Sequence, residues 1–191
     1  MELTFFIMNK TDLNSYNNSW YSTGAISIKL IIWYLLNLFF FRTGWFPFNR
    51  IKIQILRIIG AKIGKNVVIK PHVSIKYPWR LSIGDNCWIG ENVWIDNLAE
   101  VTIGDNVCIS QGAMLLCGNH NYKKTTFDLM IGEIKLEDGA WVCAKSVVCP
   151  GVTMKSHSIL TVGSIATKDC EAYSIYQGNP AVKIKVREIE N

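Results

Sequence analysis

Three histidines, His72, His120 and His157, are the side chains here that exchange a proton near neutral pH, because imidazole has an unperturbed pKa of about 6.5. His120 stands apart. It lies at the root of NYKKTTFDLMIGEIK, which interrupts an otherwise regular spacing, and long insertions in regular chains gather at binding faces. An imidazole placed there can accept a proton at neutral pH. Cys117, three residues earlier, offers a second chemistry, an acyl-cysteine intermediate. Nothing nearby marks that thiol as a low-pKa thiolate, so a buried, inert cysteine is expected.

Metal chemistry is not expected. His72 and His157 stand 48 and 37 residues from His120, and Cys87, Cys108, Cys117, Cys143, Cys149 and Cys170 form no CxxC pair. Neither a zinc site nor a small disulfide framework has the spacing it needs. The cysteines read as small buried residues of a reducing cytosol.

The elements that must position His120 follow from a period of six. Aliphatic residues return at Ile63, Ile69, Ile75, then after two extra residues at Ile83, Ile89, Ile95, and after two more at Ile103, Ile109, Leu115. The register resumes at Leu136, Val142 and Val148 and runs on through Met154, Leu160 and Ala166. A helix would repeat at three and four and a simple strand at two, so six means a parallel β-helix of hexapeptides, three to a triangular coil. Position five of each unit is small or apolar (Val67, Val73, Cys87, Val93, Val107, Ala113, Ala140, Ser146, Val152) and points inward beside the aliphatic. The glycine after the aliphatic in IGKNVV, IGDNCW, IGENVW and IGDNVC is assigned to a tight backbone corner. His72 and His157 fall at position four, where side chains face outward.

Residues 1–62 precede this prism, residues 63–170 form it with an inserted loop at 121–135, and 171–191 make a tail. The spacing predicts helices over residues 27–41 and 49–59, the second with Ile51, Ile55, Ile58 and Ile59 on one side and Arg50, Lys52 and Arg57 elsewhere. Two readings stand for this segment: a cap over the first coil, or a pair of helices lying on a membrane surface. With 191 residues, 49% apolar and 18% charged, the chain has material for one core and no room for a second catalytic domain. The apolar run at 25–41 is interrupted by Lys29 and Asn37 and falls short of the roughly 20 residues of a membrane span. No secretory signal opens the chain, so a cytoplasmic location is expected, with peripheral contact at the inner membrane face under the second reading. Between residues 13 and 84 stand ten basic residues and no acidic one. Such a stretch is either an ordinary solvated face or an attraction to an anionic bilayer or phosphorylated substrate; it carries no nucleic-acid recognition motif.

The hexapeptide coils, the loop beginning GNHNY, the segment GAWVCAKSVVCPGVTM and the tail QGNPAVKIKVRE resemble the hexapeptide-repeat acyltransferases over residues 60–187. The stretch GAKIGKNVVIKPHVSIKYPWRLSIGD is most similar to the colanic-acid-type exopolysaccharide acetyltransferases. The resemblance implies a left-handed β-helix, against the right-handed habit of other parallel crossovers. It further implies transfer of acetyl from acetyl-CoA to a sugar hydroxyl or amine, with His120 as general base and active sites between the prisms of a homotrimer. Trp141 and Ala144 would line the donor tunnel, and Lys168, Lys183, Lys185 and Arg187 would meet the CoA phosphates. Gly178, Asn179 and Pro180 match the family turn before the last segment. Asn92, Asp96 and Asn97, one coil before His120, would hold the acceptor, a sugar or lipid-linked glycan. The expected activity is sugar O-acetylation without metal. An N-acetyltransferase acting on an amino or nucleotide sugar and a non-catalytic β-helix scaffold remain as alternatives. A carbonic anhydrase built on the same coils would need three metal-binding histidines, which the spacing denies.

Overall fold

A computed structural model describes residues 9–190. From Lys62 to Ala166, strands of two or three residues alternate among three parallel sheets, giving a mainly β solenoid of about six turns. The sixfold columns are the strand registers themselves. Ile63, Ile83, Ile103, Leu136 and Met154 stack in the first sheet. Ile69, Ile89, Ile109, Val142 and Leu160 stack in the second, and Ile75, Ile95, Leu115, Val148 and Ala166 in the third. All but Ile63 are buried, as are the position-five residues from Val67 to Val152. Each fully buried aliphatic contributes about 1.5–3 kcal/mol, and no single repeat could bury its own.

The corner lies two residues later than the glycines imply. Position four holds the left-handed backbone: Asn66, His72, Asn86, Asn92, Asn106, Lys145 and His157 have φ between 56° and 59°, and glycine takes that place in several other units. Asparagine tolerates this region better than most residues. The glycines at position two serve close approach instead. A Cβ on Gly84 would lie 2.7 Å from the carbonyl carbon of Gly104, one coil further on. The aspartate after them bonds vertically: Asp85 Oδ1 accepts from Lys65 N at 2.7 Å, Asp105 Oδ1 from Asp85 N at 2.7 Å and Asp138 Oδ1 from Asp105 N at 2.9 Å. These carboxylates are structural.

The two-residue slips occupy one corner. Pro78–Arg80 forms a short 3-10 turn there, and one coil later Asn97 lies beneath it.

The first coil has no coil above it, and the N-terminal helices supply the missing partners. Helix α1, Ser27–Leu36, runs into a π-turn at Asn37–Phe41, and α2 spans Asn49–Ile59. The Asn49 amide imitates a peptide of a further strand, accepting from Ile69 N at 2.8 Å and donating to Val67 O at 2.7 Å. Trp33 Nε1 and Asn37 Nδ2 donate to Ile75 O at 3.0 and 3.1 Å, and Arg57 donates to the carbonyls of Ile63 and Gly64. The helices therefore cap the solenoid.

The expected apolar stripe of α2 is rotated. Lys52, Ile53, Leu56 and Ile59 are its buried residues, whereas Ile51 and Ile58 are exposed. Aiming Asn49 at the ladder turns residues 49, 53 and 56, spaced four and then three apart, toward the coil. Lys52 fills the gap with its apolar stem, and desolvation lowers its pKa. No helix among the described residues is long and apolar enough to cross a membrane.

Asn49→Leu leaves Val67 O and Ile69 N without partners and is expected to cost about 2–3 kcal/mol. Ile58→Ala, on the exposed side of the same helix, should stay within about 0.5 kcal/mol of wild type. Urea denaturation of both variants checks the assignment, and the reverse ranking would refute the cap.

Candidate active site

The interruption is an antiparallel hairpin. Gly118–His120 pairs with Leu129–Ile131, and the solenoid resumes at Ile134–Leu136, just inside the range expected for the loop. The hairpin leaves the third sheet directly after Met114–Leu116, so His120 is one strand away from the rigid prism.

The ring of His120 is fixed on three sides. Its Nδ1 lies 2.9 Å from Phe127 O. A carbonyl only accepts, so Nδ1 carries the proton and Nε2 is left with a free lone pair. The Phe127 ring stacks on the imidazole at 4.5 Å with a 6° tilt, and Tyr16 approaches at 5.6 Å and 57°. Phe127 reaches this position through a left-handed backbone, φ 51°, held by Phe127 N to Lys124 O at 3.1 Å. The same turn carries the Lys124–Asp128 ion pair at 2.7 Å, whose hydrogen bond keeps the Asp128 carboxyl below its usual range.

Tyr16 belongs to an N-terminal arm that sequence reasoning missed. Asp12 N donates to Thr125 O at 2.9 Å, tying the arm to the hairpin tip. Further along, Tyr21 OH donates to Leu98 O at 2.9 Å while Arg80 donates to Tyr21 OH at 3.0 Å and also bonds Leu98 O and Ser22 O. Burial pushes the Tyr21 hydroxyl up to about 12. The arm has no periodicity; its aromatic residues were its only signal.

Asp96 is brought beside the start of the strand that carries the histidine. It pairs with Leu116 across the third sheet, its carbonyl accepts from Cys117 N at 3.2 Å, and its Oδ2 is 3.8 Å from where a Cβ on Gly118 would stand. Lys76 Nζ lies 2.9 Å from its other oxygen. Asn92, at a left-handed corner, shares with Asp96 a cleft of about 840 Å³ between α1 and the outer face of the third sheet.

Asn97 does not join them. It is fully buried, with its oxygen accepting from Tyr77 N at 2.9 Å and its nitrogen donating to Tyr77 O at 2.6 Å. The amide that was expected to hold acceptor instead pins the two-residue bulge of the coil above.

Trp141 stands on the outer face of the second sheet, 40% exposed, with Nε1 donating to Ser110 Oγ at 2.9 Å. Trp88 and Cys108 share its row, and beside it lies a groove of about 280 Å³ lined by Trp88, Lys70, Cys108 and Ser110. Ala144 follows at the next corner, its carbonyl accepting from Gly163 N at 3.0 Å. The tail extends this sheet as the hairpin Ser174–Gly178 and Ala181–Val186. Lys185 sits opposite Ile175, which continues the row of Trp141 and Ile159; three strand spacings, about 14 Å, separate it from the tryptophan. Lys183 is exposed on the same strand, and Lys168 is exposed beyond Ile165–Ala166 of the third sheet.

Arg187 has one nitrogen committed to the fold: its Nη1 donates to Gly139 O at 3.0 Å and His157 O at 3.1 Å, tying the tail to a corner. His157 itself stacks on Tyr173 at 4.7 Å, and His72 Nδ1 faces Arg42 O at 3.3 Å. Among the described residues no group of three or more His, Cys, Asp or Glu is gathered to hold a metal.

Comparison with known proteins decides the family. WcaF of Escherichia coli (strain K12), named as a colanic acid biosynthesis acetyltransferase, is 37% identical over 166 residues, 86% of this chain and 90% of its own. The chain belongs to the hexapeptide-repeat acetyltransferase family. It is thus an acetyl-CoA-dependent acetyltransferase. Galactoside O-acetyltransferase of the same organism is 30% identical over 140 residues, 69% of this chain and 66% of its own. Among solved structures, a hexapeptide-repeat acetyltransferase of Vibrio cholerae complexed with acetyl-CoA superposes with a TM-score of 0.77 at 20% identity, covering 88% of this chain and 92% of that one. A galactoside acetyltransferase in complex with coenzyme A gives 0.75 at 25%, covering 84% and 82%. No family model matches the chain.

Within this acetyltransferase, Cys117 is fully buried and burial pushes its thiol up to about 11. Burial thus disfavours the thiolate, the form an acyl carrier needs. Cys117→Ala should therefore keep turnover within about twofold of wild type, as measured by CoA release; a loss near a hundredfold would reinstate the thiol route. Burial also raises Cys143 to about 11 and Cys170 to about 12. A raised thiol pKa favours the folded state until the unfolded thiols ionise, so stability should fall as pH climbs from about 9 through 11. Urea midpoints across that range test it.

Proposed function

We propose that this enzyme transfers acetyl from acetyl-CoA to a sugar hydroxyl during exopolysaccharide assembly, with His120 as general base and no covalent intermediate. The observation that carries the reading is the Nδ1 contact to Phe127 O, which leaves Nε2 as the acceptor of a proton. As the hydroxyl oxygen attacks the thioester carbonyl, Nε2 takes its proton, an effect worth roughly 100 to 10,000-fold. The tetrahedral oxyanion collapses, the C–S bond breaks, and the imidazolium returns the proton to the departing CoA sulfur. Asp96 and Asn92 hold the acceptor, Asp96 being the carboxylate beside the strand of His120.

The donor lies along the second sheet, its pantetheine arm near Trp141 and Ala144 and its phosphates toward Lys168, Lys183 and Lys185. Base and donor row leave different sheets of one prism, so a second copy placed against the first would complete the site. A homotrimer meets that need. O-acetylation is favoured over transfer to an amine because a relative 30% identical is named for it.

The N-terminal segment contacts the inner face of an anionic membrane. Ile28, Ile31, Ile32, Leu35, Leu38 and Phe39 of α1 and the π-turn are exposed, within a stretch that carries ten basic residues and no acid.

His120→Ala should retain CoA binding and oligomeric state while turnover on hydroxylated glycans falls at least about a hundredfold. Mass-spectrometric assay with labelled acetyl-CoA reads this directly. Near-normal turnover would overturn the proposal, and preferential labelling of free amino sugars would redirect it to N-acetylation.

A further inference from the structure

The hairpin that carries His120 is held by three cross-strand pairs, Gly118 with Ile131, Asn119 with Met130 and His120 with Leu129. The contacts that fix the imidazole, Nδ1 to Phe127 O and the Phe127 stack, lie within the same excursion. They set the ring relative to the hairpin. They do not set the hairpin tip relative to the coils, and a two-stranded ribbon this short is marginally stable by itself.

The arm ahead of α1 supplies that second reference. Between residues 9 and 20 every side chain is exposed except Tyr16, whose ring lies 5.6 Å from the imidazole at 57°. The backbone that places it is braced from the hairpin. Asp12 N donates to Thr125 O at 2.9 Å, near the tip. Asp12 Oδ1 accepts from Asn14 N at 3.1 Å and its carbonyl accepts from Ser15 Oγ at 2.7 Å, while Tyr16 N donates to Leu13 O at 3.2 Å. The short 3-10 turn Leu13–Ser15 therefore starts on the hairpin tip and ends with Tyr16 on the ring.

The far end of the arm is rooted in the coils. Trp79 Nε1 donates to Thr23 O at 2.8 Å, and Tyr21 OH and Arg80 both donate to Leu98 O. Leu98 also covers the base of the hairpin, because a Cβ on Gly118 would collide with Leu98 Cδ1. The arm thus grips the hairpin at its tip, at its ring and, through Leu98, at its origin. Its exposed side chains add little apolar burial to set against the entropy of ordering it, so core stability does not account for the path it takes.

We infer that Tyr16 is a positioning residue for acetyl transfer, the point at which this strap holds the imidazole in the frame of the prism so that Nε2 keeps one aim. The inference rests on the reading of His120 as general base and adds the residue that aims it. Small misplacements of a reacting group cost up to about a hundredfold in rate. The ring makes the contact, so phenylalanine can replace tyrosine here and leucine cannot.

The test uses the full-length enzyme with acetyl-CoA and methyl β-galactoside as probe acceptor, together with spectra of the ¹⁵N-histidine-labelled proteins, which need no acceptor. Tyr16→Leu should lower kcat at least about tenfold while the KM for acetyl-CoA stays within about twofold and circular dichroism is unchanged. Tyr16→Phe should stay within about twofold of wild type, as should Leu13→Ala, an exposed neighbour on the same turn. Placed on His120→Ala, Tyr16→Leu should change the residual rate by less than about twofold, since a residue that acts through the imidazole has nothing left to act through. The His120 ring signals, identified by their loss in His120→Ala, should be single and sharp in wild type and should broaden or double in Tyr16→Leu. Full turnover in Tyr16→Leu would overturn the inference, and so would ring signals that Tyr16→Leu leaves unchanged, whether or not the galactoside is acetylated. An equal loss in Tyr16→Phe would make the hydroxyl the active group, and a fully additive loss on His120→Ala would place Tyr16 on the acceptor; either refutes the positioning role. Near-normal turnover in His120→Ala would sink the base reading itself, whereas loss of turnover there beside full turnover in Tyr16→Leu would sink the positioning role alone.

Discussion

Every coil of this solenoid must hand its backbone N–H and C=O groups to the coil beneath, and that vertical ladder is the constraint on which the rest depends. Strands of two or three residues contribute few bonds each, so the ladder survives only if successive coils follow the same path. The path requires a left-handed residue at position four, met by asparagine in Asn66, Asn86, Asn92 and Asn106. It also brings position two against the next backbone, where Gly84 leaves room that a methyl would fill. Where the ladder has no next coil or is bulged, a carboxamide replaces a peptide: Asn49 at the open end, Asn97 under the two-residue slip. The same side-chain chemistry solves both problems because an amide carries one acceptor and one donor in peptide-like geometry.

The period of six was legible because it is a burial pattern, repeated from Ile63 to Ala166, and burial is what sequence spacing reports. Features that depend on direction were not. The buried stripe of α2 is set by where Asn49 must point, so Ile58, apolar and in phase with Ile51 and Ile55, ends up 81% exposed while Lys52 is enclosed. Asn97 looks like a ligand residue by type and position, yet both atoms of its amide are taken by backbone groups 20 residues away, and one nitrogen of Arg187 is bonded to backbone 30 or more residues away. Such long-range bonds leave no local trace. His120 was legible by position alone, at the break in the repeat. Its companions Phe127 and Tyr16 were not, since one sits across a hairpin turn and the other on an arm without periodicity.

A stiff prism with one excursion is an economical way to hold an imidazole. The coils fix the origin of the hairpin to within a strand pairing, and the hairpin needs only to fix a ring. It does so through a carbonyl and a stacked phenyl that come from the same residue, Phe127, whose positive φ permits both at once. One residue thus determines the tautomer and the plane of the imidazole. The other hairpin residues are not needed to fix the ring, consistent with the placing of functional groups on loops carried by rigid scaffolds.

The distribution of charge follows from the same architecture. Between residues 13 and 84 acids are absent, whereas from Asp85 onward aspartates recur at the position that bonds the preceding coil. Several acids of the solenoid thus serve ladder bonds, and Asp96 is matched by Lys76 of the first coil. The first coil meets helices that cap it with neutral amides, an indole and the guanidinium of Arg57, so it has no need of carboxylates. What remains around α1 is an apolar surface among cations. A fold that needed only a lid could have ended that surface with polar residues at no cost to the ladder, because Ile28, Ile32 and Leu35 make no part of it. Their exposure is therefore not something the capping of the ladder requires.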